Sequence, residues 1–137
     1  MKRGAKAVWK GSVKEGKGKL STNSKVLDGT NYSFHTRFED GDGTNPEELV
    51  AAAHAGCFAM QLSAFLSEEG NAPESLEADC DVTFEDGEIK ESALKLNAVV
   101  PGIVQSKFDE LVKKAKENCP ISKLYNTEIS VDAKLSD

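Results

Sequence analysis

The sequence predicts an α+β fold in which one domain, residues 1–137, is completed by a second copy of the chain. Three observations lead there. Residues near the N-terminus, and again over 76–98, alternate apolar and polar side chains with the period of a β-strand. Between them, Val50 to Leu66 has the length of a long helix and almost no charge on any side. A helix that is apolar all round is buried all round. A chain of 137 residues has difficulty enclosing such a helix, so a partner subunit is expected to supply the second wall.

Taken in order, Ala5, Ala7 and Trp9 alternate with Lys6, Val8 and Lys10 as a first strand. Asp28-Gly29 reads as a turn between strands. Tyr32, Phe34, Thr36 and Phe38 alternate with Ser33, His35 and Arg37, which predicts a strand carrying His35 and Arg37 together on its polar face. Glu39 to Thr44 is an acidic, glycine-containing loop. Asn45 is a good helix N-cap, Pro46 suits the first helical position, and Glu48 completes a capping-box pattern. This helix is expected to run to about Glu69 and stop at Gly70, with Pro73 beyond. Leu76, Ala78, Cys80, Val82 and Phe84 then alternate with acidic residues and Thr83 as a half-buried strand. Asp86-Gly87 turns it into a second strand containing Leu94, Leu96 and Ala98. The apolar phase slips between Ile89 and Leu94, which suggests a bulge. Pro101-Gly102 ends the hairpin. Val104, Phe108, Leu111, Val112 and Ala115 mark an amphipathic helix that Cys119-Pro120 breaks, and Thr127, Ile129, Val131 and Ala133 form a last strand.

Composition excludes several classes of partner. Hydrophobic content of 39% and charged content of 29% fit a folded soluble chain rather than a disordered one. A net charge of -6 without a basic stripe argues against nucleic acid and anionic membrane. The long apolar run is interrupted by His54, Gln61 and Ser63 and is read as too short and too polar for a membrane span. Met1-Lys2-Arg3 leads into no apolar stretch of the secretory kind, so the expected location is cytoplasmic. In that compartment the three cysteines are reduced at rest, and their odd number argues against a structural disulfide framework.

Two of those cysteines sit in contrasting settings that suit redox chemistry. Cys57 lies at the middle of the apolar helix, about three turns from its start, where the helix dipole does little for its acidity. It is either a small core residue or a thiol that needs a nearby cation to ionise. Arg37 is the candidate cation, set against the alternative of a solvated strand-end arginine. Glu47 could orient its guanidinium, or serve only as a first-turn acid on the helix dipole. Cys119, beside Pro120 at a helix end, is read as mobile and near the surface, which suits a thiol that must move to meet a sulfenic acid. A chance cysteine in a turn is the alternative. Cys80 falls on the apolar face of a strand and reads as core. His54, three residues before Cys57, could form a Cys-His pair, but a packing histidine with a backbone partner is the simpler reading. The two histidines and three cysteines show no metal-ligand spacing, and no phosphate-binding glycine motif is present.

The segments Phe34-His35-Thr36-Arg37-Phe38, Asn45-Pro46-Glu47-Glu48-Leu49, His54-Ala55-Gly56-Cys57-Phe58 and Asn118-Cys119-Pro120 together resemble the OsmC/Ohr family, the osmotically inducible protein C and organic hydroperoxide resistance proteins. With the strand order, the resemblance covers nearly the whole chain. The His-Ala-Gly-Cys version is closer to the OsmC branch than to the Ohr branch. It implies an intertwined homodimer, with long central helices packed against curved antiparallel sheets. It also implies a thiol peroxidase acting on organic hydroperoxides, with Cys57 as peroxidatic cysteine, Cys119 as resolving cysteine, and Arg37 and Glu47 as the residues that hold Cys57 as thiolate. The expected product is a Cys57–Cys119 disulfide, reduced by an external dithiol of the lipoyl type. No metal or cofactor is implied, because sulfur carries both electrons. An apolar pocket lined by residues such as Phe58 and Met60 would favour bulky peroxides. Two other readings stay open: a non-catalytic module holding an apolar ligand, and a redox-regulated interaction protein. Glu47 and Cys57 are ten residues apart on one helix, roughly 15 Å along its axis, so Arg37 and Glu47 of one subunit are expected to serve Cys57 of the other.

Overall fold

A computed structural model describes residues 1–124. The elements in chain order are β1 (Ala5–Lys10), β2 (Lys17–Thr22), β3 (Thr30–Tyr32), α1 (Phe34–Phe38), α2 (Pro46–Glu68), β4 (Ser75–Glu85), β5 (Glu88–Val99), α3 (Gln105–Asn118) and α4 (Pro120–Lys123). The α+β class expected from the sequence is the one observed. The chain forms two compact units, Met1–Ala52 with Val82–Glu91, and Ala53–Asp81 with residues 92 onward. The strand expected over Thr127 to Ala133 lies outside the described residues.

The first unit is built on an antiparallel sheet in the order β1-β2-β3. Its register aligns Trp9 with Gly18 and Gly18 with Tyr32. The Trp9 and Tyr32 rings meet over that glycine at a centroid distance of 5.4 Å. A Cβ at position 18 would lie 2.4 Å from the Tyr32 ring and 2.5 Å from Trp9, so only glycine fits beneath the pair. The strand expected over Tyr32 to Phe38 is corrected: β3 ends at Tyr32 and a short helix, α1, follows. Ser33 caps it, accepting from the Thr36 backbone N–H, while the Thr36 hydroxyl accepts from the Ser33 N–H at 2.7 Å. A capping box closed by threonine, together with packing of Phe34 on Phe38 one turn later (5.0 Å between centroids), outweighs the alternating pattern.

The long helix, α2, begins and ends as its sequence predicts. Asn45 Oδ1 accepts from the Glu48 N–H at 2.7 Å. The reciprocal half of the expected capping box is absent, because the Glu48 carboxylate accepts instead from the Thr44 hydroxyl at 2.8 Å. At the far end Gly70 adopts φ 79°, with bonds from Gly70 N–H to Ser67 O and from Asn71 N–H to Leu66 O, a Schellman stop. Burial all round is not observed in the single chain. Only His54, Phe58, Leu62 and Leu66, each four residues apart on one stripe, are buried. Ala53, Gly56, Met60 and Ala64 form an exposed strip with no charge, and Met60 is 78% accessible. By length and composition α2 could cross a membrane, contrary to the sequence reading. Its buried stripe nevertheless belongs to a protein core.

That core lies in the second unit. Phe58, Leu62 and Leu66 of α2 pack with Leu111 and Ala115 of α3 and with Cys119. Leu76 and Ala78 of β4 and Leu94 and Leu96 of β5 close over them. These two strands form a hairpin whose turn residues, Asp86 and Gly87, both have positive φ (52° and 77°), the geometry that matches strand twist. Alternate burial in β5 sets in only at Ser92; the four residues before it are all exposed.

Candidate active site

In the first unit, α1 presents Arg37 and the first turn of α2 presents Glu47. The Arg37 Nε and Nη2 groups both reach Glu47 Oε1, each at 2.9 Å. Phe38 and Phe84 flank the guanidinium, with their ring centres 5.2 and 5.4 Å from its carbon. The Glu47 side chain is 14% exposed and that of Arg37 40%. Glu47 Oε2 is buried and accepts no hydrogen bond among the described residues. The carboxylate therefore holds one edge of the guanidinium and leaves its remaining N–H groups for another acceptor. Beside Arg37 lies a small open cavity of about 220 Å³, with Trp9, Tyr32, Phe34 and Phe38 in its wall. A wider cleft of about 1100 Å³ runs along β1 and β2 past Lys6, Lys10, Lys17 and Lys19, and none of the four expected site residues lines it.

In the second unit the two candidate thiols meet. Cys57 projects half-buried from α2, and Cys119 occupies the break between α3 and α4. Its ψ of 127° is the extended conformation that a residue before proline adopts, which ends α3 and lets Pro120 start α4. The surface position expected for Cys119 is corrected: it is 0% exposed. Leu111, Ala115 and Cys119 are spaced by four, so the cysteine continues the inner stripe of α3 into the core. Neither thiol is bridged.

Their acidities differ in the opposite sense to the sequence expectation. Burial, donation of its S–H to Cys119 and the charge on Cys119 push the Cys57 thiol up, against a smaller opposing effect of the Ile121 backbone N–H. Burial also works to raise Cys119. Donation from Cys57, the backbone N–H groups of Ser122 and Ile121, and the Ser122 hydroxyl outweigh it, and the Cys119 thiol is held below its ordinary value. No contact to the Cys119 sulfur has full N-cap hydrogen-bond geometry, so these groups act mainly as oriented dipoles. Within this unit the surroundings favour ionisation of Cys119 over that of Cys57.

His54 is one turn before Cys57 and 7% exposed. Its partners are not backbone groups, as expected, but two serines remote in sequence. Nδ1 meets Ser92 Oγ at 2.6 Å, and Nε2 meets Ser122 Oγ at 3.0 Å. Ser92 Oγ in turn meets Cys80 Sγ at 3.2 Å. Burial lowers the His54 pKa, so the ring is neutral at neutral pH. Nothing local in the sequence marks Ser92 or Ser122, which lie 38 and 68 residues from His54.

The four expected site residues thus fall into two contacting pairs, Arg37 with Glu47 and Cys57 with Cys119. The pocket residues expected from the sequence are corrected. Phe58 is a core residue at 2% exposure, Met60 is exposed, and neither lines the cavity beside Arg37. The aromatic wall there comes from residues of the N-terminal sheet and α1. Among the described residues no three His, Cys, Asp or Glu side chains converge as a metal ion would require.

Residues 39–134 match the family model of OsmC-like proteins. The chain is similar to Peroxiredoxin OsmC of Escherichia coli (strain K12), 47% identical over 133 residues that cover 94% of this chain and 93% of that protein. It is 33% identical over 100 residues to the Organic hydroperoxide resistance protein of Xanthomonas axonopodis pv. citri, covering 70% and 69% of the two chains. Among solved structures it resembles the organic hydroperoxide resistance protein OhrB of Bacillus subtilis, with a TM-score of 0.60 and 26% identity over 88% and 89% of the chains. An OsmC-like protein of Vibrio cholerae gives a TM-score of 0.68 at 16% identity over 93% and 96% of the chains, a likeness of fold alone.

Proposed function

The chain belongs to the OsmC-like protein family, on its OsmC branch, and we propose that it is a thiol peroxidase that reduces organic hydroperoxides to alcohols. The observation that carries this reading is the meeting of two unbridged thiols from distant parts of the chain, Cys57 and Cys119. The names of its relatives, peroxiredoxin and organic hydroperoxide resistance protein, support a peroxide-related role.

The chemistry balances with these residues. The Cys57 thiolate attacks the distal peroxide oxygen; the S–O bond forms, the O–O bond breaks, and the alkoxide leaves as alcohol with one proton. Cys57 becomes a sulfenic acid. The Cys119 sulfur attacks it, the S–S bond forms, and hydroxide departs as water with the proton that Cys119 gives up. A dithiol, of which a lipoyl type is one candidate, then reduces the disulfide. Arg37, gripped by Glu47, would supply the cation that no described residue of its own unit brings to Cys57. The aromatic cavity beside Arg37 would take the organic group of the peroxide, in place of the Phe58 and Met60 pocket. The active protein is a homodimer of single-domain subunits in the cytoplasm, in which the uncharged strip of α2 packs on a second copy and Arg37 and Glu47 of one subunit serve Cys57 of the other.

One observation favours a second reading, a non-catalytic module that holds an apolar ligand: the Cys57 thiol is pushed up rather than down. Turnover decides between them. Cumene hydroperoxide should be consumed steadily with dihydrolipoamide as reductant. Absence of consumption, with Cys57 reacting as an ordinary buried thiol, would favour the binding module.

A further inference from the structure

Arg37 and Glu47 stand on different helices of the first unit, so one helix must be fixed against the other for the pair to keep its place. Arg37 rides on α1, which has five residues, too few to persist as a helix unaided. Glu47 lies in the first turn of α2. The residue that joins the two helices is Asn45. Its Nδ2 group donates to Thr36 O of α1 at 2.9 Å, and its Oδ1 accepts from the Glu48 N–H of α2 at 2.7 Å. Both partners are backbone groups, one of which only accepts and the other only donates, so the orientation of the amide is forced. Thr36 O belongs to the peptide group that leads into Arg37, and the Glu48 N–H to the peptide group that leads out of Glu47. One side chain thus clamps the peptide beside the arginine to the peptide beside the glutamate. Among the described residues no other side chain bonds to the backbones of both helices.

We propose that Asn45 is a positioning residue for Arg37, acting through the backbone of α1 to keep the guanidinium where Glu47 grips it. The inference rests on the peroxidase reading for its purpose, but not for its geometry. Glu47 holds the tip of the arginine, and Asn45 holds the backbone from which it springs. The carbonyl that Asn45 serves is in the last turn of α1, where no later residue of the helix can bond to it. Thr36 is 8% exposed, so water is a poor substitute for the amide. Asn45 is itself set on anchored backbone. Thr44 N–H donates to Asn31 O, just past the middle of β3, at 3.1 Å. Gly43, at φ 124°, passes so close to that strand that a Cβ would overlap Asn31 O. Loss of the Nδ2 donor frees α1 to move against α2. The Arg37–Glu47 pair then opens more often, and the arginine is less available to any thiol it serves.

The test separates the two halves of the amide. Serine and aspartate cap a helix about as well as asparagine, so Asn45→Ser and Asn45→Asp keep the start of α2. Neither gives Thr36 O its donor: aspartate carries acceptors only, and the single serine oxygen is too short to serve both helices. The first readout needs no peroxide. The chain has two arginines, Arg3 and Arg37, so Arg3→Lys assigns the Nε–H signal of Arg37 by nuclear magnetic resonance. That group donates to Glu47 Oε1. Its exchange with water should speed about fivefold in both variants, the factor for one lost hydrogen bond. The Glu48 amide, still capped, should keep its protection. The second readout is the stopped-flow rate of the reduced protein with cumene hydroperoxide. Asn45→Ser should slow it by up to about fivefold, and should cause no further loss when added to Arg37→Ala. A purely structural Asn45 would slow both backgrounds alike, and that result would overturn the proposal. So would unchanged Arg37 exchange in the two variants. If one variant fails to fold, the other carries the test. Failure of wild type to react with peroxide would sink the peroxidase reading and leave the exchange result to decide whether Asn45 holds Arg37.

Discussion

The Glu47→Gln substitution isolates what the carboxylate does for Arg37. Glutamine keeps the shape and a carbonyl acceptor but removes the charge. Two N–H groups of Arg37 converge on Glu47 Oε1 at 2.9 Å, and the glutamate is mostly buried while the arginine is 40% exposed. Hydrogen bonds to a charged group contribute roughly 1.5–3 kcal/mol where water is excluded. Exposure of Arg37 lowers that figure, because half-exposed ion pairs are worth roughly 1 kcal/mol or less. A value of roughly 1 kcal/mol means that the ratio of held to released guanidinium falls about fivefold. If the held form is what activates Cys57, the rate constant for peroxide attack should fall, by at most that factor. The Phe38 and Phe84 rings still flank Arg37, so the loss should stop well short of that in Arg37→Ala. The rate is measured by stopped-flow reaction of the reduced protein with cumene hydroperoxide, and melting temperature serves as the control for folding. Glu47→Gln reacting as fast as wild type, with Arg37→Ala slow, would refute the idea that Glu47 holds the cation in place. Equal rates for all three would remove Arg37 from the chemistry.

Cys57→Ser should abolish peroxide consumption, and Cys80→Ser should leave it near normal; an inactive but folded Cys80→Ser protein would overturn the assignment of the peroxidatic residue. One equivalent of peroxide should form a Cys57–Cys119 disulfide within a chain, and Cys119→Ser should trap Cys57 as sulfenic or sulfinic acid; mass mapping that finds Cys80 in the bridge contradicts this. Verified heterodimers of Cys57→Ser and Arg37→Ala subunits should recover about half the wild-type activity, because one site would then be intact; no recovery would exclude service of Cys57 by the other subunit. Because burial lowers the folded pKa of His54 from 6.5, the unfolded chain binds the extra proton first as pH falls. The stability that a neutral His54 provides is therefore complete above that value and lost below it, so melting temperature between pH 7.5 and 5.5 should fall more in wild type than in His54→Gln.

Legibility in the sequence followed locality. Asn45, Gly70 and the Cys119-Pro120 junction act on their own backbone neighbourhoods, and all three were placed correctly. The Asp86-Gly87 hairpin was equally legible, because its turn chemistry and the alternation of β4 agree. Residues 33–38 misled because a run so short satisfies two periods at once: Phe34, Thr36 and Phe38 alternate, but Phe34 and Phe38 are also one helical turn apart. The burial of Cys119 was written in the spacing of Leu111 and Ala115, but the following proline suggested an outward turn. The inner face of α2 had no readable phase, because a helix apolar on every side does not say which stripe meets the core. Arg37 and Glu47 could be named from motif alone, whereas the serines that hold His54 depend on contacts 38 and 68 residues long and leave no local mark.

The order of the two thiols bears directly on how the site is completed. Within one unit of one chain the donors gather on Cys119, whose thiol is held down while that of Cys57 is pushed up. A peroxidase that starts at Cys57 needs the reverse, and only an added positive charge can supply it, because burial works against ionisation. On the proposed reading Arg37 would be that charge: Glu47 holds one edge of it, and its other N–H groups have no acceptor among the described residues. The strip of Ala53, Gly56, Met60 and Ala64 is uncharged and open in the single chain, and its small residues, Ala53, Gly56 and Ala64, would let two helix backbones approach closely. An antiparallel pairing of two α2 helices would carry the start of one, with its Glu47, past the middle of the other, with its Cys57. Burial of the strip and arrival of the cation would then be a single event, and the thiol would be activated only in the assembled protein. Cys57 alkylation measured against protein concentration tests this: the rate at neutral pH should rise with dimer formation and should not do so in Arg37→Ala. A rate independent of concentration across the dissociation range would mean that each chain activates its own thiol.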